Sequence, residues 1–445
     1  MSSSLPLKQA AISYLPQSNN WLNEPIQSIQ LFNGKDCVDV DVPNGKDDYK
    51  SFMVHLSSVL EEIAADGLIG WNLKDLLCRL RVQLDTKANN KDWPLLKLSL
   101  YDIRLLYQLK YGKEPPNPQF LKPKEQKTSE FYYNAFKVFS SDIPTIYNVL
   151  TQNAIREYSQ LDVSGINTVS GLAFTNSQVD GTITGRLTNE SGKGYITPLV
   201  CPKGAPRGQV KASTEHDMII FDYGSMEMRV LAALTNCPKL SEILAAPGDF
   251  YTNLGKILSR KESVPQDVRK LMKGLCFLCV FGGSEYGISK EFGVSIERAG
   301  IYLYNFFELF PEIETWILQT HIDTIESAGI TNPFGRFRSF KSIRSLNQVQ
   351  QAPLLRSAQN FKVQSTAADI NTLVFLNLCF LFREQFGAHV MFHIHDGYVV
   401  SCPKEHSESL MRAANNIFNN PPVQLLCDNF SVDLKVSFEK TNCWK

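Results

Sequence analysis

Two aspartates about 170 residues apart stand at the ends of apolar runs. Met218-Ile219-Ile220-Phe221-Asp222-Tyr223 closes on Asp222, and His393-Ile394-His395-Asp396-Gly397-Tyr398-Val399-Val400 sets Asp396 on a tight turn between two apolar segments. Two strand-borne carboxylates brought together suit a phosphoryl-transfer centre with two metal ions. Mg²⁺ is a hard cation, held by one or two carboxylates together with substrate phosphates. A pair of such ions clamps the attacking and leaving oxygens of an in-line displacement. An aspartate that only forms a turn after a strand leaves the same local sequence, so the segment between the two decides. There Arg269, Lys273, Phe277 and Phe281 recur at steps of four, which aligns them in one stripe of an α-helix. Cations toward the helix N-terminus suit a triphosphate, and the aromatics beyond them suit a sugar and a base. The alternative is an amphipathic core helix with two solvated basic residues. Leu271, Leu275, Leu278 and Val280 make other faces apolar too, which a plain surface helix does not need.

Three more segments complete an ordered set. Thr184-Gly185-Arg186-Leu187 precedes the first aspartate, whose own segment continues as Asp222-Tyr223-Gly224-Ser225-Met226-Glu227-Met228-Arg229. After the stretch from Arg269 through Gly282 come Pro333-Phe334-Gly335-Arg336-Phe337-Arg338 and then Arg356 through Asp369, with Asn360 and the run Val363-Gln364-Ser365-Thr366-Ala367-Ala368-Asp369. With His395-Asp396 last, this order resembles the family A DNA polymerases, the group of bacterial DNA polymerase I and its phage relatives, over roughly residues 180 to 440.

The resemblance implies an α+β fold: a right-hand polymerase of palm, fingers and reduced thumb, with a small N-terminal α/β exonuclease-like domain. It places the exonuclease-like domain and its linker in 1–125, the thumb in 126–175, the palm in 176–235 and 353–445, and the fingers in 236–352. It implies that Asp222 and Asp396, with the backbone carbonyl of Tyr223, hold two Mg²⁺ ions, for which Mn²⁺ can substitute. Arg269 and Lys273 then contact the triphosphate, and Lys273 can protonate the pyrophosphate leaving group. Phe277 lies against the sugar and Phe281 over the template base. Glu227 forms a wall at the sugar C2 position that excludes a 2′-hydroxyl. Tyr251 stands where the family often has His and can hydrogen-bond a phosphate. Arg186, Arg356, Asn360 and Gln364 touch the primer–template in its minor groove, whose acceptors vary little with sequence, and His395 sits near the primer terminus. The chain departs from the family pattern at Gly397, where Glu is usual, at Phe281, where Tyr is usual, and at Leu278, where Gly is usual.

Composition is compatible with this reading without demanding it. The 445 residues suffice for two to four domains, and 45 basic residues balance 45 acidic ones. Binding to a polyanion must therefore come from local patches. From Thr331 to Lys362 the basic residues are Arg336, Arg338, Lys341, Arg344, Arg356 and Lys362, with no acid, and from Ser191 to Ser213 they are Lys193, Lys203, Arg207 and Lys211, again with no acid. Both read as a DNA groove or, more plainly, as solvated loops. Cys276 and Cys279 form a lone Cys-x-x-Cys with no second pair to complete a zinc site. Scattered thiols suit a reducing compartment, here the cytoplasm of a bacterial or phage-infected cell. The first arginine is Arg79, against an Arg-rich transit peptide. The longest apolar stretch, Leu373 through Phe382, is too short to span a bilayer, so no membrane partner is expected.

The N-terminal third reads less directly. Residues 1–20 are Ser-, Gln- and Asn-rich and are expected to be poorly ordered. Strand and strand–helix pieces are expected over 26–42 and 67–84. Residues 70–76 with 98–106 faintly resemble the family's 3′–5′ exonuclease domain. That chemistry starts from an Asp-x-Glu pair, and none occurs in residues 1–150; Asp39 and Asp41 form only an Asp-x-Asp. An inactive exonuclease-like domain, or an unrelated α/β scaffold, follows. Pro115-Pro116-Asn117-Pro118 begins a linker. A thumb confined to residues 129–158 implies weak processivity unless a processivity factor or another replisome protein compensates. The expected function is a DNA-templated DNA polymerase that extends primer–template DNA with dNTPs and lacks proofreading. The alternatives are a non-catalytic DNA-binding replication scaffold and a single-subunit RNA polymerase. The latter is expected to carry a small residue in place of Glu227 and Tyr in place of Phe281.

Overall fold

The N-terminal segment folds around β1 (Gln9–Leu15), although its neighbours in sequence are polar. The computed structural model describes residues 9–15, 26–43, 49–62, 67–83, 95, 98–113, 128–129, 132, 135–136, 145–164, 166–168, 171–189, 210–394 and 396–444. The expectation of disorder across 1–20 is corrected at β1, where Ala11 and Ile12 are at most 1% exposed. Burial of this short apolar run outweighs the polar composition around it. With β2 (Ser28–Phe32), β3 (Cys37–Asp41), β4 (Gly67–Gly70) and β5 (Ser99–Asp102) it forms a five-stranded sheet ordered β3-β2-β1-β4-β5. The first three strands are antiparallel, and β1, β4 and β5 run parallel. Parallel neighbours need a crossover, and α1 (Tyr49–Glu62) and α2 (Leu73–Gln83) supply it. Asp102 ends β5 and caps α3 (Ile103–Tyr111), accepting from the N–H of Arg104 at 3.0 Å and of Leu73 at 2.9 Å. Burial pushes its carboxyl up, against the pull of Arg104 and these bonds. Asp39 and Asp41 are exposed on the edge strand β3, and Asp39 accepts from the Gln30 amide. No group of three or more His, Cys, Asp or Glu side chains gathers among the described residues.

By their contacts the residues group into two compact units: Met1–Ile220 with Phe375–Met411 and Glu439–Lys445, and Phe221–Val374 with Arg412–Phe438. In the first, α2 packs on α4 (Thr145–Ser164), a helix from the expected thumb segment, most of whose earlier part lies outside the described residues. Their contact is polar and dry. Lys74 reaches Asp162 at 2.8 Å and Asn176 at 2.7 Å, and Asp162 also accepts from Thr175 and from both the backbone and hydroxyl of Ser177. Burial works against the Lys74 charge, but Asp162 outweighs it and holds the ammonium above its usual range. Small hairpins follow: β6 (Ile166–Thr168) with β7 (Gly171–Ala173), and β8 (Ser177–Gln178) with β9 (Thr188–Asn189). The central sheet is ordered β13-β14-β10-β15, with β10 (His216–Tyr223), β13 (His389–Ile394), β14 (Gly397–Pro403) and β15 (Val436–Thr441). Behind it, Tyr158, Phe375, His393 and Tyr398 stack. Tyr158 and Phe375 lie 4.3 Å apart, His393 and Tyr398 4.5 Å, and the Tyr158 hydroxyl meets His393 Nδ1 at 2.6 Å.

The second unit is mostly helical: α5 (Met226–Thr235), α6 (Pro238–Ala245), α7 (Phe250–Ser259), α8 (Gln266–Val280), α9 (Glu285–Phe292), α10 (Ile296–Leu309) and α11 (Pro311–Ser327). The hairpin of β11 (Gly329–Thr331) and β12 (Phe337–Ser339) leads to α12 (Gln348–Leu381), which continues into the first unit, where α13 (Ser407–Asn419) begins. α12 starts five residues before Pro353, ahead of the expected palm boundary at 353. Asn347 caps it by accepting from Gln350 N–H while the Gln350 side chain accepts from Asn347 N–H, a reciprocal capping box. The expectation that every apolar stretch is too short to span a bilayer also needs correction. The helical stretch Gln348–Phe386 is long and apolar enough to cross a bilayer, but 67% of its most apolar 18-residue window is buried within the protein. That burial is what a core helix requires.

Candidate polymerase site

Asp222 is exposed near the end of β10, while Phe221 and Tyr223 on either side are 0% and 5% exposed. This is strand alternation with one face buried. Phe221 stacks on Phe418 at 5.0 Å, and the Tyr223 hydroxyl donates to the Phe418 carbonyl at 3.5 Å. The Asp222 carbonyl accepts from Ser437 Oγ at 3.2 Å, and Gly224 N–H donates to Lys435 O at 2.9 Å. The strand end is thereby fixed with its carboxylate outward. Asp396, half-buried, occupies the two-residue turn between Ile394 and Gly397, which pair in the β13–β14 hairpin. Its neighbour His395 lies outside the described residues. Within the first unit the start of β10 meets the end of β14: His216 Nδ1 lies 2.9 Å from Ser401 Oγ, and Lys404 N–H donates to Glu215 O.

Beyond Asp222 the chain turns through Ser225, held at φ 57°, into α5, whose first turn carries the half-buried Glu227. Arg229, to which the sequence reading gave no role, is 6% exposed and braces this turn. It donates to the carbonyls of Gly224 (2.9 Å), Leu244 (3.0 Å) and Asp433 (3.2 Å), and to the Asp433 carboxylate at 3.2 Å. Only its place one turn into a helix that follows a strand-end Asp could have flagged it.

The stripe on α8 forms as expected. Lys273 is exposed with its ammonium 5.9 Å from the centre of the Phe277 ring, and the Phe277 and Phe281 rings lie 5.6 Å apart. Phe281 is the cap rather than a helical residue, its N–H donating to Phe277 O at 2.9 Å. Met272, Leu275, Cys276, Cys279 and Val280 of this helix are buried. Burial pushes both thiols well above their ordinary range, so the Cys-x-x-Cys is packing. Arg269 is engaged: Nε and one terminal nitrogen grip Asp249 at 2.8 and 2.9 Å. Asp249 also caps α7 through Thr252 N–H. Burial pushes the Asp249 carboxyl up, but the bonds from Arg269 and Thr252 outweigh it and hold it below its usual range. Tyr251 is 5% exposed, with the Arg269 guanidinium 5.8 Å from its ring centre.

Arg356, Asn360 and Gln364 follow one another at steps of four on α12, Arg356 exposed and the other two half-buried. Gly282, at φ 79°, passes so near Arg356 that a Cβ would collide with its side chain. Buried Gln359 donates to Val280 O and meets His321 Nε2, each at 2.7 Å. The basic stretch 331–362 is corrected in part. Arg336 is 4% exposed and paired with Asp369 at 2.7 Å, so it lends no charge to a groove; Arg338 lies 5.1 Å from the centre of the Phe340 ring. Of the other patch, only Lys211 is among the described residues. Arg186 is half-buried in the turn of residues 182–186.

Residues 147–445 match the family described as DNA polymerase family A. A thermostable DNA polymerase I of Thermus aquaticus is 27% identical over 251 residues, covering 56% of this chain and 30% of the relative. The DNA polymerase I of Bacillus caldotenax is 25% identical over 320 residues, covering 67% of this chain and 35% of the relative. The chain thus spans about a third of the length of these curated relatives. Among solved structures, the POL domain of Pol1 from M. smegmatis, in complex with DNA primer-template and dNTP, superposes with a TM-score of 0.77 at 13% identity, covering 98% of this chain and 95% of that one. The likeness establishes the fold.

Proposed function

The chain belongs to DNA polymerase family A, and from that premise we propose that it extends the 3′ end of a DNA primer along a DNA template using deoxynucleoside triphosphates. The observation that carries the proposal is the chain of contacts in the second unit. Asp222 stands on the strand that leads into α5; Arg269, gripped by Asp249, lies over Tyr251; and Arg269 heads the row of Lys273, Phe277 and Phe281. A carboxylate, two cations and two aromatic rings on adjoining elements match the parts of a nucleoside triphosphate.

In the reaction the primer 3′-oxygen forms a bond to the α-phosphorus as the bond to pyrophosphate breaks. The hydroxyl proton passes to solvent water, and Lys273, placed in the triphosphate row, gives a proton to the departing pyrophosphate. Arg269 and Lys273 hold the phosphates, Phe277 supports the sugar, and Phe281 stacks over the template base. Outward-facing carboxylate oxygen at Asp222, with no third acidic or His ligand gathered among the described residues, fits a hard divalent ion completed by substrate phosphates. Asp222, the Tyr223 carbonyl and Asp396 would hold Mg²⁺, or Mn²⁺, which supplies charge stabilisation to the attacking and leaving oxygens. Tyr251, beside Arg269, belongs to the same nucleotide-binding row. Arg186, Arg356, Asn360, Gln364 and His395 grip the primer–template. The palm takes 176–235 and 353–445, the fingers 236–352 and the reduced thumb 126–175. The N-terminal sheet serves as a scaffold without proofreading, and a processivity factor completes the grip on DNA.

Primer extension with each nucleotide type tests the proposal. Extension with deoxynucleotides supports it; extension with ribonucleotides alone, or DNA binding with no extension, refutes it. Glu227→Ala opens space at the sugar, so ribonucleotide incorporation is expected to rise about tenfold or more, a change of about 1.4 kcal/mol in discrimination. Unchanged selectivity in a competition assay would assign the wall to another group. Asp249→Asn keeps a capping side chain and removes the charge that competes with phosphate for Arg269. A partly exposed pair is worth about 0.2–1 kcal/mol, so the KM for dNTP is expected to fall about twofold to fivefold at low salt. A raised KM would show that Asp249 instead orients Arg269 for the phosphate.

A further inference from the structure

The turn that carries Arg186 is held from the N-terminal sheet. α3 presents Arg104 and Gln108 one helical turn apart. The Arg104 guanidinium donates to Val179 O at 2.5 Å, and the Gln108 amide donates to Thr182 O at 2.6 Å. Thr182 is the hinge of the turn. Its carbonyl also accepts the Gly185 N–H at 2.9 Å, and its hydroxyl accepts the Arg186 N–H at 3.1 Å. A carbonyl has two lone pairs; here one closes the turn and the other takes the Gln108 amide. The backbone is bent on either side, with Asp180 at φ 47° and Gly185 at φ 80°. Gln108 is 2% exposed, so no water competes freely for this bond. Asp102 anchors α3 in turn by capping it and holding Leu73 N–H.

We infer that Gln108, assisted by Arg104, is a positioning residue for DNA binding: it fixes the Thr182 turn so that Arg186 points to the primer–template. This rests on the reading of Arg186 as a DNA contact. It gives the N-terminal sheet a part in gripping DNA that needs no nuclease chemistry. The test is a double-mutant cycle on the full chain, read by fluorescence anisotropy with a primer–template duplex and by the separate KM values for DNA and dNTP. Gln108→Leu keeps the bulk and removes the donor. It is expected to weaken duplex binding about twofold to tenfold, as loss of one hydrogen bond does, and to leave the KM for dNTP unchanged. The double variant with Arg186→Ala is expected to bind no more weakly than Arg186→Ala alone. If Gln108→Leu does not fold, Arg104→Met cuts the companion bond and is expected to give the same pattern. Weakened binding in Arg186→Ala beside unchanged binding in Gln108→Leu, or fully multiplicative losses in the double variant, overturns the inference. Unchanged binding in Arg186→Ala overturns the reading of Arg186 itself.

Discussion

Asp222→Ala and Asp396→Ala are each expected to lower primer extension by about a thousandfold or more while leaving duplex binding within about threefold of the unaltered protein. A loss of that size corresponds to about 4 kcal/mol of transition-state stabilisation, within what a metal supplies at a reacting phosphoryl group. Binding should survive because Asp222 holds little of the fold. It is exposed, while the strand is fixed by Phe221, Tyr223 and the backbone bonds to Ser437 and Lys435. Asp396 sits on a turn whose flanking strands pair without it. Single-turnover extension with saturating duplex, alongside anisotropy for binding, separates the two quantities. Retention of even a tenth of the rate in either variant would remove that residue from the metal site.

Arg336→Met should cost about 3–5 kcal/mol of stability, the usual penalty for stripping one partner from a buried pair. The Arg336 guanidinium grips both oxygens of Asp369 at 2.7 to 3.3 Å, and Asn332 adds a further bond at 2.8 Å. Asn332 also accepts from the backbone N–H of Phe334 and Arg336, so one carboxylate ties a whole loop to α12. With Arg336 removed, Asp369 is left charged in a dry site, or protonated at a cost. Arg336→Met with Asp369→Leu should recover part of the loss, because the penalty lies in the stranded charge and not in the missing attraction. Urea unfolding of the three variants measures this. A loss under about 1 kcal/mol for the single variant would mean that water reaches Asp369.

The elements that bear chemistry were legible because their signals are local. An apolar run ending in Asp222 reads as a strand with one turn residue, and steps of four read as one helix face. What escaped was pairing across long separations. Arg336 looked like part of a basic loop because its acid, Asp369, lies beyond that stretch. Lys74, Asp75, Arg79 and Arg81 look like a solvated face, yet all four are buried on α2, with Lys74 answered by Asp162 from another helix. Charge patterns in a sequence cannot show that a distant residue will neutralise them. The start of α12 was legible after all, in Asn347 and Gln350, but Pro353 drew the boundary past it. The ties of Asp249 and Tyr251 to Arg269 depend on tertiary packing, which no local pattern shows.

The ring stack of Tyr158, Phe375, His393 and Tyr398 bears on how the Asp396 turn keeps its place. Slipping one hairpin strand by a single residue would turn every side chain to the opposite face. Two of these rings, His393 and Tyr398, belong to the two strands that flank the turn; His393 is wedged against rings from α4 and α12, and Tyr398 against the α12 ring. A shifted hairpin would have to pull aromatic surface out of a filled interior. The amides of this hairpin should therefore be among the slowest to trade hydrogen for deuterium, and the acidic turn at its tip should keep its aim.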